Sequence, residues 1–518
     1  MKRRSFPVFL FVTLFTLTVS WHSQAAGPTI PPINFPSPPQ IGPQLPQPQI
    51  PPLNFPNVAN QTTATPPSVA VFEVNDTSDK ADPSPTDGKC DVGGGKCTLR
   101  AAIQTANNIP PNPDVLVDIH LKAGTYTFVI APSTTQNDAS SGDLDITRSL
   151  SIGGDGADNT TVDGNQLDRI FHIQPGIKVL ITKMTLQNGN KQPDPGGCIF
   201  NDSSALKLTD MVIKGCKAGA GGAINNSGGT LEMTNVTLDT NEASFIGGGI
   251  HNIAGTATLT NVTFSGNKAA QRGGGLNNVN GSTATLTNVT FSENSAPQNG
   301  GGGIANGNPI NAQDTSTTNL KNALVAKNPG GDCVKRGAGA IATQGHNLDS
   351  DGSCFAPGGT DLSNPDPKLA TELSGTPVKV LALLAGSPAI DAGDNNGCPQ
   401  KDPLGTTRPQ GAACDIGAFE FVVAAAGTPV CGNGIVESGE ECDDGNAIAN
   451  DGCTNCRIDS GFSCTGSPST CAQTVVPPPT GGGGGGCQLG GMSANEFAPT
   501  ALLPILGMAG MWVRRKRM

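Results

Sequence analysis

Aromatic side chains are scarce, at 4 % of 518 residues. Trp21 and Trp512 lie in the terminal segments, so the body has no tryptophan and one tyrosine, Tyr126. A sugar-binding cleft built on ring stacking is therefore poorly supplied. Charge is also scarce, at 14 %, and leans acidic, with 42 Asp and Glu against 31 Lys and Arg. Several of the basic residues (Lys2, Arg3, Arg4, Arg514, Arg515, Lys516, Arg517) crowd the two ends. An anionic body without a Lys/Arg stripe lacks the footprint of a nucleic-acid binder, and that class is excluded. Glycine (69) and proline (42) fill over a fifth of the chain, yet 36 % is hydrophobic, enough for a sizeable core. Fifteen cysteines point to an oxidising compartment.

Both ends read as targeting segments. Lys2-Arg3-Arg4, an apolar run from Phe6 to Val19 and small residues before Ala25 and Ala26 form a secretory signal peptide over 1–26. At the other end Gly481–Gly486 leads to Cys487, an apolar stretch from Ala498 to Val513, and Arg514-Arg515-Lys516-Arg517. That stretch carries Pro499, Pro504 and Gly507 and is marginal for a span of about 20 residues. The basic end should stay cytoplasmic. The tail, 488–518, resembles bacterial sorting tails of the JDVT-CTERM and MYXO-CTERM kind. The resemblance implies removal by an intramembrane sorting protease, with Cys487 as the attachment candidate; the alternative is a permanent one-helix anchor. Either outcome places the body outside the cytoplasm, at the cell surface, in the outer membrane or beyond it.

Between these ends, residues 27–67 are proline-rich and read as an extended spacer. Then a phrase repeats: Gly197-Cys198-Ile199-Phe200-Asn201, Gly222-Ala223-Ile224-Asn225-Asn226, Gly248-Gly249-Ile250-His251-Asn252, Gly274-Gly275-Leu276-Asn277-Asn278 and Gly302-Gly303-Ile304-Ala305-Asn306. A second keeps the same period: Thr234-Asn235-Val236-Thr237-Leu238, Thr260-Asn261-Val262-Thr263-Phe264 and Thr287-Asn288-Val289-Thr290-Phe291. Apolar residues alternate with threonine, the period of a strand, and no repeat carries a helical stripe. Short strands in coils of this length predict an all-β fold, a right-handed parallel β-helix over 68–422. Stacked coils lie about 4.8 Å apart, so equivalent residues form columns. Ile199, Ile224, Ile250, Leu276 and Ile304 should point inward. Asn201, Asn226, Asn252, Asn278 and Asn306 should form a hydrogen-bonded structural ladder, and Asn235, Asn261, Asn288 and Asn322 a second at the corner. Threonine suits the exposed strand faces.

Thr98–Ala106 puts Leu99, Ala102, Ile103 and Ala106 on one helical face, with Thr98 as N-cap, and reads as a capping helix over the first coil. Cys90–Cys97, Cys198–Cys216, Cys333–Cys354 and Cys398–Cys414 are the disulfides expected from nearness alone.

Cys97-Thr98-Leu99-Arg100-Ala101-Ala102 resembles the CSLREA motif of secreted bacterial β-helix proteins. The Gly-Gly-Ile phrases, with Phe264-Ser265-Gly266-Asn267 and Phe291-Ser292-Glu293-Asn294, resemble the GGAI and FxxN repeats of chlamydial polymorphic membrane proteins. Ser387–Gly393 and Cys414–Glu420 resemble the closing segment of choice-of-anchor β-helix proteins. These resemblances imply a pectin-lyase-like solenoid and are weak guides to activity. Residues 430–472 carry six cysteines and resemble the Myxococcus-type cysteine-rich repeat; such a short module needs disulfides to hold it. A Pro/Gly-rich linker, 473–487, follows. Eight cysteines in the solenoid and six in the module leave Cys487 unpaired.

The fold also hosts polysaccharide lyases and glycoside hydrolases, which use paired carboxylates or acid-bound calcium. The candidates here are Asp143 and Asp145, with Asp163, Asp168, Arg169 and His172 nearby. The Asn-Thr-Asp, Gly-His-Gly and Arg-Ile-Lys signatures of polygalacturonases are absent, as is the Trp-x-Asp-His of pectate lyases. No cofactor is expected. The calcium candidates are Asp443, Asp444 and Asp451; Asn347-x-Asp349-x-Asp351-Gly352 starts like a calcium loop but has Gly358 where a bidentate glutamate belongs. The reading that follows is a non-catalytic, surface-attached solenoid presenting a Thr/Asn-rich face. Its expected partners are the cell envelope and a surface ligand, either a polysaccharide or a host or neighbouring cell. The enzyme is the alternative.

Overall fold

The repeats wind into a right-handed parallel β-solenoid of about eight turns in a computed structural model. It describes residues 68–474 apart from 111–114, 134–137, 357, 423–429, 438, 447 and 449. The signal peptide, the spacer and the tail with Cys487 lie outside the described residues, as does all but the start of the 473–487 linker. Eight short strands run parallel and in chain order up one sheet: Leu144–Ile146, Phe171–Ile173, Ile199–Asp202, Ile224–Ser227, Ile250–Ile253, Leu276–Val279, Ile304–Asn306 and Cys333–Lys335. Their register pairs Ile199 with Ile224, then Ile250, Leu276 and Ile304, and all five are fully buried.

Longer strands such as Ala205–Lys214, Thr230–Asp239 and Thr256–Ser265 build a larger parallel sheet. Each bends at one left-handed residue: Asp210, Asn235 and Asn261 have φ of 55°, 55° and 56°. Asparagine and aspartate adopt that conformation at little cost, which is why they mark the corner. Around the bend Val262 and Phe264 face inward, and Phe264 stacks on Phe291 of the next coil with centroids 4.2 Å apart. The Gly-Gly phrase has two separate causes. Gly247 takes a φ of 66° at the turn, whereas a Cβ on Gly248 would stand 2.4 Å from the Gly274 carbonyl oxygen. Only glycine meets both demands.

The asparagine ladder runs up the interior. Asn201 Nδ2 donates to Asn226 Oδ1 and Asn226 to Asn252 at 2.7 Å. Asn252 donates to Asn278 at 2.7 Å and Asn278 to Asn306 at 2.9 Å. All five are fully buried, so they belong to the core and not to a presented surface. A second interior ladder was not expected. Asn241 Nδ2 donates to Asn267 Oδ1, Asn267 to Asn294 and Asn294 to Asn328, at 2.9, 2.8 and 3.0 Å. Each of the first three also donates to a carbonyl of the coil below: Ile213, Leu238 and Phe264. Asn267 and Asn294 are the asparagines of the FxxN phrases and Asn241 holds the same place after Leu238; all three satisfy turn backbone that would otherwise be buried unpaired.

The helix Leu99–Asn108 closes the first coil. Thr98 Oγ1 accepts from Ala101 N, and Ile109 before Pro110 leaves the helical region. More of it is buried than one apolar stripe predicts, because residues 75–98 cover its second side. Thr105 donates to Asp82, Gln104 Oε1 accepts from Asp82 N, and the fully buried Arg100 pairs with Asp79. The four solenoid disulfides are Cys90–Cys97, Cys198–Cys216, Cys333–Cys354 and Cys398–Cys414, the pairs that nearness gives.

The last segment departs from the coil pattern. Strands Leu369–Ser374 and Val380–Leu383 form an antiparallel hairpin, and residues 369–421 run back along the outside of the larger sheet. Asn322 donates to the Asp394 carbonyl and Asn288 to those of Asp415 and Gly417. Further back, Asn261 donates to the Lys401 carbonyl and Thr237 to that of Lys379. Leu324, Ala326 and Leu348 pack with Leu369, Leu381, Leu383, Ala389 and Ile416 in a second core outside the solenoid. This return segment corrects one expectation. Thr237, Thr263 and Thr290 point away from the interior but are only 1–2 % exposed, because the segment covers them.

Candidate functional site

Asp143 and Asp145 flank Leu144 at the start of the first short sheet, and the next coil supplies their partners. Arg169 Nε donates to Asp143 Oδ2 at 2.7 Å, and Lys191 pairs with Asp168 at 2.6 Å. One coil above Asp145, the His172 ring shares a 2.9 Å hydrogen bond with Asp145 Oδ1, which also accepts from Gln174. His172 stacks on Phe200 at 5.0 Å. Burial raises the Asp143 carboxyl above its ordinary range, against the pull of Arg169. Burial would raise Asp145 too, but the His172 and Gln174 hydrogen bonds hold it below the carboxylate range. Asp163 is elsewhere, accepting from Gln187 and Asn188. Asp143 and Asp145 are 4 % and 1 % exposed, so neither can face a glycosidic bond. Asp143→Asn and Asp145→Asn should leave polysaccharide cleavage assays unchanged from wild type, and each should cost about 1–3 kcal/mol of stability. Thermal unfolding read beside a reducing-sugar assay checks both halves.

The acidic loops are likewise occupied by their own backbone. Asp332, Asp349 and Asp351 converge. Asp349 accepts from the N–H groups of Asp351, Gly352 and Cys354, while Asp332 accepts from Ser350 N and its hydroxyl. In the cysteine module Asp443 spends both oxygens on the N–H groups of Gly432, Asn433, Gly434 and Gly445. Asp444 beside it is raised by burial and by the charges of Asp451 and Asp443. Glu437, Glu440 and Asp443 also bring their carboxylates together there. A pocket of about 200 Å³ opens over Asp443, Asp444, Asn446 and Ile448. Cys431–Cys456, Cys442–Cys453 and Cys464–Cys471 hold the module.

What stays open is the first half of the long strands. Thr256, Thr258 and Thr260 sit directly under Thr283, Thr285 and Thr287, with Thr230, Glu232 and Thr234 on one side and Thr317, Asn319 and Lys321 on the other. Thr256, Thr258 and Thr283 are exposed and the other three of the central pair of coils half-buried. The rows repeat at about 4.8 Å across coils, without a break in register, giving a regular face made mostly of hydroxyls and methyls. Sequence reading identified these threonines but not the division into an open half and a covered half.

On the opposite sheet His251 lies between Asn225 and Asn277 in one outward column and accepts a 2.9 Å hydrogen bond from Asn277. Burial holds its pKa down at about 4. A base depressed on folding contributes stability that is present above its unfolded pKa and lost as pH falls through the folded one. The loss should therefore span pH 6.5 to about 4 and reach about 3 kcal/mol. His251→Asn should flatten that limb of the stability–pH curve, as read by denaturant unfolding.

The fold places the chain among right-handed parallel β-solenoids, with a separate disulfide-rich module after it. A domain of unknown function, DUF4215, matches residues 428–457, the first four cysteines of that module. No curated protein matches the chain, and no solved structure does. Among the described residues no helix is long and apolar enough to cross a membrane.

Proposed function

We propose that this protein is an exported, envelope-attached β-solenoid whose open threonine face engages a surface ligand, in adhesion or in the structure of the cell surface. The observation that carries this reading is the face itself. It is regular and uncovered, while the carboxylates that an enzyme would need are buried and paired. A rigid sheet of short side chains loses little conformational entropy on binding. The ligand is a polysaccharide or a component of a neighbouring or host cell. Export is the work of residues 1–26, and attachment follows processing of the tail by a sorting protease with Cys487 as the modified residue. The place for a calcium ion is the cysteine module, at Asp443, Asp444 and Asp451.

Fractionation of the producing cells, with intact mass of the envelope-bound form, tests the reading. The expected form lacks the signal peptide and the residues after Cys487, and carries added mass on that cysteine. An unprocessed chain in the cytoplasm would overturn it. The binding half is tested with Thr258→Glu and Thr285→Glu, which should abolish attachment of purified protein to cells and shift stability by no more than about 0.5 kcal/mol. Undiminished attachment would move the ligand away from this face.

A further inference from the structure

Three buried arginines each pair with an acid. Arg100 pairs with Asp79 at 2.5 Å, Arg169 with Asp143 at 2.7 Å and Arg408 with Glu420 at 3.0 Å. Two half-buried arginines on the outer side of the short-strand sheet differ from these three. Arg272 ends the stretch that turns through Gly273 into strand Leu276–Val279, and its Nε and Nη1 are buried without an acceptor. Arg336 follows strand Cys333–Lys335, and its Nη2 donates to the Asn299 carbonyl, a neutral partner. Among the described residues neither forms an ion pair, in a chain whose acids outnumber its bases 42 to 31.

Arg336 reaches back to the Asn299 carbonyl, and the next carbonyl, Gly300, accepts from Gly273 N beside Arg272, so the two arginines meet at one turn. Burial lowers the Arg272 pKa first and the charge of Arg336 lowers it further, with no acid opposing. Arg272 also acts on the neighbouring His251 ring, pressing against its protonation. Unsatisfied buried polar atoms are rare in folded proteins, and guanidinium N–H groups without an acceptor, on a cation that no acid neutralises, mark a place where an anion belongs.

We infer that Arg272 and Arg336 form a binding site for an oxyanion, a carboxylate or sulfate group supplied from outside the chain. The forked guanidinium matches the two oxygens of such a group, and a second arginine beside it doubles the charge that the ligand neutralises. The site lies on the sheet opposite the threonine face and does not depend on that face binding anything. The anion has two candidate sources: a free ion, or the acidic sugars of a glycan.

Calorimetry and thermal unfolding of the full chain, at constant ionic strength in chloride, test the site with inorganic sulfate, tri-galacturonate and a neutral trisaccharide. Wild type should bind sulfate or tri-galacturonate saturably and gain thermal stability, with no response to the neutral sugar. Arg272→Gln should lose the response and be more stable than wild type without ligand, since it removes an uncompensated charge. Arg336→Gln should fold normally and weaken binding at least tenfold, by about 1.4 kcal/mol. A response to sulfate assigns the free ion, and one to tri-galacturonate alone assigns the glycan. Wild type indifferent to both anions, or Arg272→Gln responding as wild type does, would overturn the inference.

Discussion

Replacing Arg408 with methionine is expected to release the return segment from the solenoid while leaving the coils wound. Arg408 is buried and donates to Glu420 at 3.0 Å, and to the carbonyls of Asp415, Gly417 and Ala418. Glu420 in turn accepts from Gln410 N and Asp415 N, so the pair fixes both arms of the chain's last turn. Removing the arginine leaves a buried carboxylate without its counter-charge, at a cost of about 3–5 kcal/mol. Cys398–Cys414 lies wholly within the segment, so no disulfide ties it to the coils. Limited proteolysis should therefore cut between 369 and 421 in the variant and spare the wild type. Hydrogen exchange should accelerate at Thr237 and Thr263 and stay slow at Ile224. Adding Glu420→Gln should restore part of the loss. Wild-type protection in the single variant would show that the apolar contacts alone hold the segment.

The same region carries a pH dependence. Burial, and then the nearby Glu420 charge, push Asp415 up to about 7. A carboxyl raised on folding contributes stability below its unfolded pKa and loses it as pH rises through the folded value. The segment should thus loosen between mildly acidic pH and pH 7 and above, opposite in sign to the His251 effect.

Asn252→Asp should be the most damaging isosteric change in the coils. Asn252 Nδ2 donates to Asn278 Oδ1, with longer contacts to the carbonyls of Gly255 and Thr283, and the residue is fully buried. An aspartate turns each of those contacts into oxygen against oxygen and adds a charge that no cation meets. The expected cost at neutral pH is about 3–5 kcal/mol, a large part of a domain's stability. Because the new carboxyl must take up a proton to remain in the core, its folded pKa lies above the unfolded one. The variant should recover stability as pH falls, by denaturant unfolding measured across the acidic range. Since each coil touches only its neighbours, exchange protection should fall first in the coils on either side. A loss that does not shrink in acid would mean that the ladder tolerates a charge.

The coil length, the inward isoleucines and the first asparagine ladder could be read from the sequence because identical residues return at nearly fixed steps and must then stack. The second ladder was as legible, since Asn267 and Asn294 end a phrase already noticed and Asn241 precedes Asn267 by the same period. The burial of Asp143 and Asp145 was half legible. Their partners Arg169 and His172 stand 26 and 27 residues on, one coil away, so adding the period to each acid finds them.

The sequence by itself determined how the chain winds, because period, alternation and glycine placement act between neighbouring coils and repeat with them. Which side of the finished solenoid meets solvent was decided only by tertiary structure. The return segment grips the sheet largely through the carbonyls of Lys379, Lys401, Asp415 and Gly417, groups that every residue carries. Backbone contacts leave no side-chain pattern to read, so the same threonine is buried at position 263 and open at position 258.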